Sequence, residues 1–250
     1  MDIIKKVFSH IFFKISFFYR VSLKQFIYKL FLPDLILSGP FKGMNYIRFS
    51  TGSVILPKII GTYEDELHSI FESIKTKSYN LFVDVGAAEG YYAVGVSKFI
   101  FNEKIPVVAF EITSKGRKLI KALSKINTLT NIRVEGICTI SNLKETLSKK
   151  RTFIIMDVEG AEYDLLNTKE IDFSLSDILV EIHPNSRQGL QDEIISRFKQ
   201  SHNIDIIIPQ SKKFPQGLMI PSWMISKKNY LINEFRGPQS WLWIESKVNI

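Results

Sequence analysis

From Asn80 onward, continuous apolar runs of strand length alternate with stretches in which apolar residues recur at helical spacing. The runs are Leu81–Val85, Pro106–Phe110, Ile132–Glu135, Phe153–Met156, Ile178–Ile182 and Ile204–Ile208. Being for the most part apolar at successive positions, they predict strands covered on both faces, as in a parallel sheet. Helices are predicted near Tyr91–Ile100, Lys115–Lys125, Asn142–Lys149, Ala161–Leu166 and Gln188–Lys199, so the order is that of βαβ units. Trp241–Glu245 has strand composition, follows the turn-prone Gly237-Pro238 and leaves no room for a crossover helix, which predicts an antiparallel last strand. The fold expected over residues 81–250 is therefore α/β: a doubly wound, mostly parallel, Rossmann-like sheet of seven strands. Residues 33–80 mix Pro33, Gly39-Pro40, Gly43, Gly52 and Pro57 with short apolar pieces, predicting a small hairpin leading into a helix over Glu64–Ile74.

Residues 1–32 form a different kind of segment. Ile4, Phe8, Ile11, Ile15 and Phe18 fall on one helical face, and Lys5, Lys6, Lys14, Arg20, Lys24 and Lys29 against Asp2 give this stretch +5 of the chain's net +8. Lys14 and Arg20 break the apolar run before it reaches the roughly 18 residues of a membrane span, and no small-residue cleavage site follows it. Two readings stay open: the helix packs on the catalytic body or a second subunit, making a homodimer, or it lies on an anionic membrane surface. The single cysteine, Cys138, rules out an internal disulfide framework and a cysteine-rich zinc site, and fits a cytoplasmic location, in the second reading at the inner face of a membrane.

The strongest local signal is the run from Leu81 to Tyr92, an apolar strand entering a glycine turn and then a helix. Gly86 lets the backbone turn sharply near a ligand, with Ala87 beside it, and Gly90 allows close packing where the helix starts. The spacing Gly86-x-x-x-Gly90 is not the G-x-G-x-x-G of a pyrophosphate cradle, and Asp84 at the strand end would repel phosphate. A cationic, phosphate-free ligand fits better, and S-adenosylmethionine, with an ammonium and a sulfonium, is such a ligand. Glu111, 21 residues beyond Gly90 at the end of the second strand, stands where a doubly wound fold places a carboxylate able to accept both ribose hydroxyls. An ordinary strand-to-helix turn with Glu111 as a helix cap is the plainer alternative.

These residues resemble the FkbM-type methyltransferases, a branch of the class I S-adenosylmethionine-dependent fold. The string Asp157-Val158-Glu159-Gly160-Ala161-Glu162 resembles that family's D-x-E-G-x-E element after the fourth strand, Glu181-Ile182-His183 its E-x-H after the fifth, and Tyr63-Glu64 the Y-E ahead of the first. The match runs over residues 40 to 245. The resemblance implies methyl transfer to a hydroxyl, with Asp84, Gly86 and Gly90 on the methionine part, Glu111 on the ribose, and Glu64 and Asp157 closing the pocket near the transferred group.

Methyl transfer requires mainly that the acceptor be aligned and its proton removed. Asp157, Glu159, Glu162, Glu181 and His183 all come from the carboxyl ends of adjacent strands or the turns after them, where an acceptor beside the cofactor would lie. His183 is the natural general base and Asp157 and Glu159 its catalytic companions, unless His183-Pro184 is only a turn. The same carboxylates and His183 could instead hold Mg2+ or Mn2+, or orient sugar hydroxyls without a metal. The acceptor suggested is a sugar, glycan or small natural product. Nucleic acid is disfavoured: the body beyond residue 32 carries only +3, and no N-P-P-Y motif, cysteine cluster or arginine-rich tract occurs. A nucleotide-dependent oxidoreductase is disfavoured by the glycine spacing, while a non-catalytic binding protein on the same fold remains a rival.

Overall fold

The computed structural model describes residues 23–183, 186–237 and 239–248. Seven strands, β1 (Leu81–Val85), β2 (Val107–Phe110), β3 (Ile132–Glu135), β4 (Thr152–Met156), β5 (Ser176–Ile182), β6 (His202–Ile207) and β7 (Ser240–Ser246), form one sheet in the order β3-β2-β1-β4-β5-β7-β6. β1 to β5 pair in parallel, and β7 runs antiparallel between β5 and β6. The fold class expected from the apolar runs is the one observed, and the order reverses on either side of β1 and β4, where an open α/β sheet binds its ligands.

The sheet is covered on both faces, and strand parity assigns side chains to each. Phe82, Phe153, Ile155, Leu179, Trp241 and Trp243 point to one face, and Leu81, Val83, Ile154, Met156, Val180 and Ile244 to the other. The first face is covered by α4 (Tyr91–Gly95), which widens into a π turn over Val96–Ile100, and by α5 (Ser114–Ile126). The second is covered by α6 (Ile140–Leu147), α7 (Glu162–Leu165) and α8 (Leu190–Phe198). Phe82 and Phe153 stack across β1 and β4 with centroids 5.4 Å apart, and such a pair adds about 0.5–1.5 kcal/mol to its area burial.

Ahead of β1, where a hairpin was expected, Leu35 and Asn45 form a single isolated antiparallel bridge. The helix expected over Glu64–Ile74 is a 3-10 turn, Asp65–Leu67, followed by α3 (His68–Ile74). Residues Ile55–Ile60 form a further buried helix, α2, that the apolar pattern did not reveal. Pro57 reads as a breaker in sequence, but it stands in the helix's first turn, where a backbone N–H has no intrahelical partner to lose. The turn-rich stretch before β7 likewise contains two short helices, α9 (Ser222–Ile225) and α10 (Lys228–Leu231).

Of the N-terminal segment, residues 1–22 lie outside the described residues, and 23–29 form a helix, α1. That turn of helix docks one face on the body: Gln25, Tyr28, Lys29 and Leu32 are buried, the Leu56 N–H donates to Gln25 Oε1 at 2.8 Å, and the Tyr28 ring lies 5.4 Å from both Trp223 and Tyr230. Leu23, Phe26, Ile27, Leu30 and Phe31 remain exposed on its other side. No helix of the described residues is long and apolar enough to cross a membrane.

Candidate active site

Parity also decides where the acids go. Asp84 lies two residues beyond Phe82 and Glu181 two beyond Leu179, so both face the α4 side of the sheet, and Asp157 continues the row one residue past β4. Gly86 makes the β1 and β4 ends touch. Its φ is +86°, and a Cβ there would stand 1.7 Å from the Asp157 carbonyl oxygen, while the Asp157 N–H donates to the Val85 carbonyl at 2.9 Å. The N–H groups of Gly86 and Ala87 both donate to the Phe110 carbonyl at 3.0 Å, pinning the turn to the end of β2. Gly90, φ +95°, caps α4, and a Cβ there would lie 3.3 Å from Ile120 of α5.

Glu111 closes the turn from the β2 side. Its Oε2 accepts the Ala88 N–H at 2.9 Å, and its Oε1 accepts the Thr113 N–H at 2.7 Å and hydroxyl at 2.5 Å. Three of the roughly four acceptor positions of a carboxylate are thus in use, leaving room for one further hydroxyl where the sequence suggested two. Asp84 is nearly fully buried and its Oδ2 has no hydrogen-bond partner. Burial raises its carboxyl to about 7; the charges of Glu111 and Glu89 push the same way, against the Ala93 N–H and Lys58.

Between turn and hairpin lies Glu89, which the sequence reading left without a role. It is completely buried and accepts from Lys58 Nζ at 2.5 Å, Tyr46 hydroxyl at 2.7 Å, Ser50 hydroxyl at 2.8 Å and Thr51 N–H at 2.9 Å. Burial alone would raise its carboxyl, but these donors, Lys58 foremost, hold it below the usual range. The signal available in sequence was Glu89 itself, a charge inside a glycine turn flanked by apolar residues, and Lys58 inside an otherwise apolar run.

A second cluster sits across the β4 and β5 ends. Glu64, in the left-handed region at φ 47° and almost wholly buried, accepts from Arg236 Nη2 at 2.7 Å and from the Tyr92 hydroxyl. Arg236 also binds Glu181 at 2.5 Å and Glu234 at 2.8 Å, joining the segment before β7 to this mouth. His183, only 5% exposed, holds Glu162 Oε1 through Nδ1 at 2.5 Å. Its Nε2 faces Asp157 Oδ1 at 3.4 Å, Glu181 Oε2 at 3.4 Å and Glu159 Oε2 at 3.6 Å.

The charges here are unbalanced. Glu64 is raised to about 7 by burial despite Arg236, and Asp157 is raised well above the carboxylate range by burial and by Glu181 and Glu64. Burial works against the imidazolium of His183, yet Glu162, Glu181 and Asp157 hold it up to about 10. Burial would raise Glu181 too, but His183, Arg236 and a hydrogen bond with Asp157 keep it low. Glu159, by contrast, is exposed at the rim in a left-handed conformation, φ 52°. Of the residues singled out from sequence, Asp84, Gly86, Ala87, Gly90 and Glu111 thus gather at the β1 turn, and Glu64, Asp157, Glu159 and His183 at the mouth. The two groups meet where Gly86 touches Asp157.

No family model matches the chain, and neither does any curated protein. Among solved structures it is similar to a precorrin-6y C5,15-methyltransferase from Geobacter metallireducens, at 11% identity and TM-score 0.48, over 71% of this chain and 86% of that one. It is also similar to a SAM-dependent O-methyltransferase from Thermotoga maritima, at 14% identity and TM-score 0.48, over 75% and 67%. An rRNA methylase from Streptococcus thermophilus is similar at 11% identity and TM-score 0.49, over 72% and 96%. These proteins act on different acceptors by their own titles, and likeness at this level carries nothing about the acceptor of this chain.

Proposed function

We propose that the chain is an S-adenosylmethionine-dependent methyltransferase that methylates a hydroxyl, on a sugar, glycan or small natural product, as the FkbM-type resemblance suggests. The observation that carries this reading is the pair of carboxylates after the first two strands: Glu111 tied to the glycine turn through the Ala88 N–H, and Asp84 buried beside it with an oxygen that lacks a partner. Such a pair suits a cationic adenosine derivative and is hostile to a diphosphate. When bound, S-adenosylmethionine supplies a methyl carbon already activated by the sulfonium. Asp84, Gly86, Ala87, Gly90 and Glu111 would hold it, and Glu64 and Asp157 would close the far side. The acceptor hydroxyl would lie against Asp157 and Glu159, with Arg236 and Glu64 lining the buried side of the mouth. While Glu162 and Glu181 keep His183 charged, its Nε2 is a donor, so His183 would orient the acceptor hydroxyl beside Asp157 and Glu159 rather than take its proton. Calorimetric titration with S-adenosylmethionine tests the reading directly. One site per chain, weakened at least tenfold in the Asp84→Asn variant, supports it; no heat with the purified chain removes it.

The exposed apolar side of residues 23–31, joined to the +5 charge of residues 1–32, favours a second role for the N-terminus. That combination suits peripheral attachment to an anionic lipid surface, with rings at headgroup depth and lysines on phosphate. Flotation with phosphatidylserine vesicles, comparing the full chain with a variant lacking residues 1–32, decides it: equal recovery ends the idea.

A further inference from the structure

The mouth carries more negative charge than its cations neutralise. Glu64, Asp157, Glu159, Glu162 and Glu181 converge there on the guanidinium of Arg236 and the imidazole of His183. Within this cluster, three ligand atoms of Asp157, Glu159 and His183 all lie within 4.8 Å of one another. An acidic cluster alone would mean little, since exposed carboxylates often gather without an ion. The independent observation is His183: its side chain is only 7% exposed, its Nε2 has no hydrogen-bond partner, and that nitrogen faces Asp157, Glu181 and Glu159 at 3.4, 3.4 and 3.6 Å. Asp157 Oδ1, the atom it faces, is likewise buried without a partner.

We infer that Asp157, Glu159 and His183 form a binding site for one divalent cation of the Mn2+ class. The geometry is close to what coordination needs. Two ligands at right angles, each about 2.1 Å from an ion, stand about 3 Å apart, and Nε2 lies 3.4 and 3.6 Å from the two carboxylate oxygens. Nδ1 is already fixed by Glu162, which leaves Nε2, once the cation has displaced its proton, as the ligating nitrogen and supplies the carboxylate–histidine pairing that orients metal-binding imidazoles. Two carboxylates with one imidazole suit Mn2+ better than Mg2+, which prefers oxygen alone, or Zn2+, which prefers more nitrogen and sulfur. Glu159 is exposed at the rim, which leaves the outer coordination positions to water or to hydroxyls of an acceptor. This deepens the methyl-transfer reading, on which the cation's task rests: a hydroxyl bound to it is a stronger acid. Binding of the ion does not itself depend on that reading.

The test uses the full chain, treated with chelator and returned to buffer, titrated with MnCl2 while the electron paramagnetic resonance of free Mn2+ is followed. One saturable site per chain is expected. Glu159→Gln changes an exposed side chain, so the variant should fold; its affinity is expected to fall by at least tenfold. Glu162→Gln should weaken Mn2+ by roughly 10- to 100-fold, as loss of an orienting partner does, and His183→Gln should abolish saturation. Circular dichroism checks that the two buried variants are folded. Absence of a saturable site, or a site untouched by Glu159→Gln, overturns the inference. S-adenosylmethionine binding is measured on the same samples: its loss with Mn2+ binding intact defeats the methyltransferase reading and leaves the metal site standing.

Discussion

Asp84 should lower the stability of the free protein at neutral pH while serving the ligand. Its carboxyl is raised from 3.8 to about 7, chiefly by burial. A group whose folded pKa lies above its unfolded one contributes stability that is present below pH 4 and lost as pH rises toward 7. At 1.36 kcal/mol per unit, the ionised carboxylate costs the fold about 4 kcal/mol at most by pH 8. Asp84→Asn removes the charge but adds an amide needing partners, so a gain of about 2–3 kcal/mol at pH 8 is expected, with little change at pH 4. Urea unfolding of both proteins at pH 4, 6 and 8 measures this. A cationic ligand beside Asp84 should stabilise the ionised form and expel a proton, so titrating S-adenosylmethionine at pH 6.5 in buffers of different ionisation enthalpy should reveal proton release in the wild type. The Asn variant should show none and should bind at least tenfold more weakly. A variant no more stable than wild type at pH 8, with an unchanged pH slope, would refute the reasoning.

Two further substitutions probe the framework around the turn. Lys58→Met leaves Glu89 as a buried carboxylate with three neutral donors, and should cost about 3–5 kcal/mol in urea unfolding, as breaking buried pairs does; the double variant Lys58→Met, Glu89→Gln should recover much of that, and additive losses would show that the pair is not coupled. Gly86→Ala places a Cβ 1.7 Å from the Asp157 carbonyl at φ +86°, so the protein should either fail to fold or lose more than about 3 kcal/mol; a loss under about 1 kcal/mol would mean the turn can open freely from β4.

The contrast between what could and could not be read from the chain follows from the range of the interactions involved. The inner strands β1, β2, β4, β5 and β7 were legible because a strand covered on both faces must be apolar at consecutive positions, a purely local constraint, whereas the edge strands β3 and β6 are partly exposed and carry Arg133, Glu135 and Asp205 among their apolar residues. The β1 turn was legible for a similar reason: Gly86 and Gly90 both adopt positive φ, which few other residues tolerate. Lys58 was not legible, because the reason for a lysine inside the buried run Ile55–Ile60 is Glu89, 31 residues away. Arg236 is harder still, since it joins Glu64 to Glu181 across 172 and 55 residues and only the returning β7 brings it there. The role suggested for His183 illustrates the same limit. Its position at a strand end is local information, but its protonation is set by Glu162 and Glu181, partners contributed by the first residue of α7 and by its own strand. A histidine that reads as a base in sequence is therefore held as a charged donor in the fold, and a base can emerge there only when something displaces its proton.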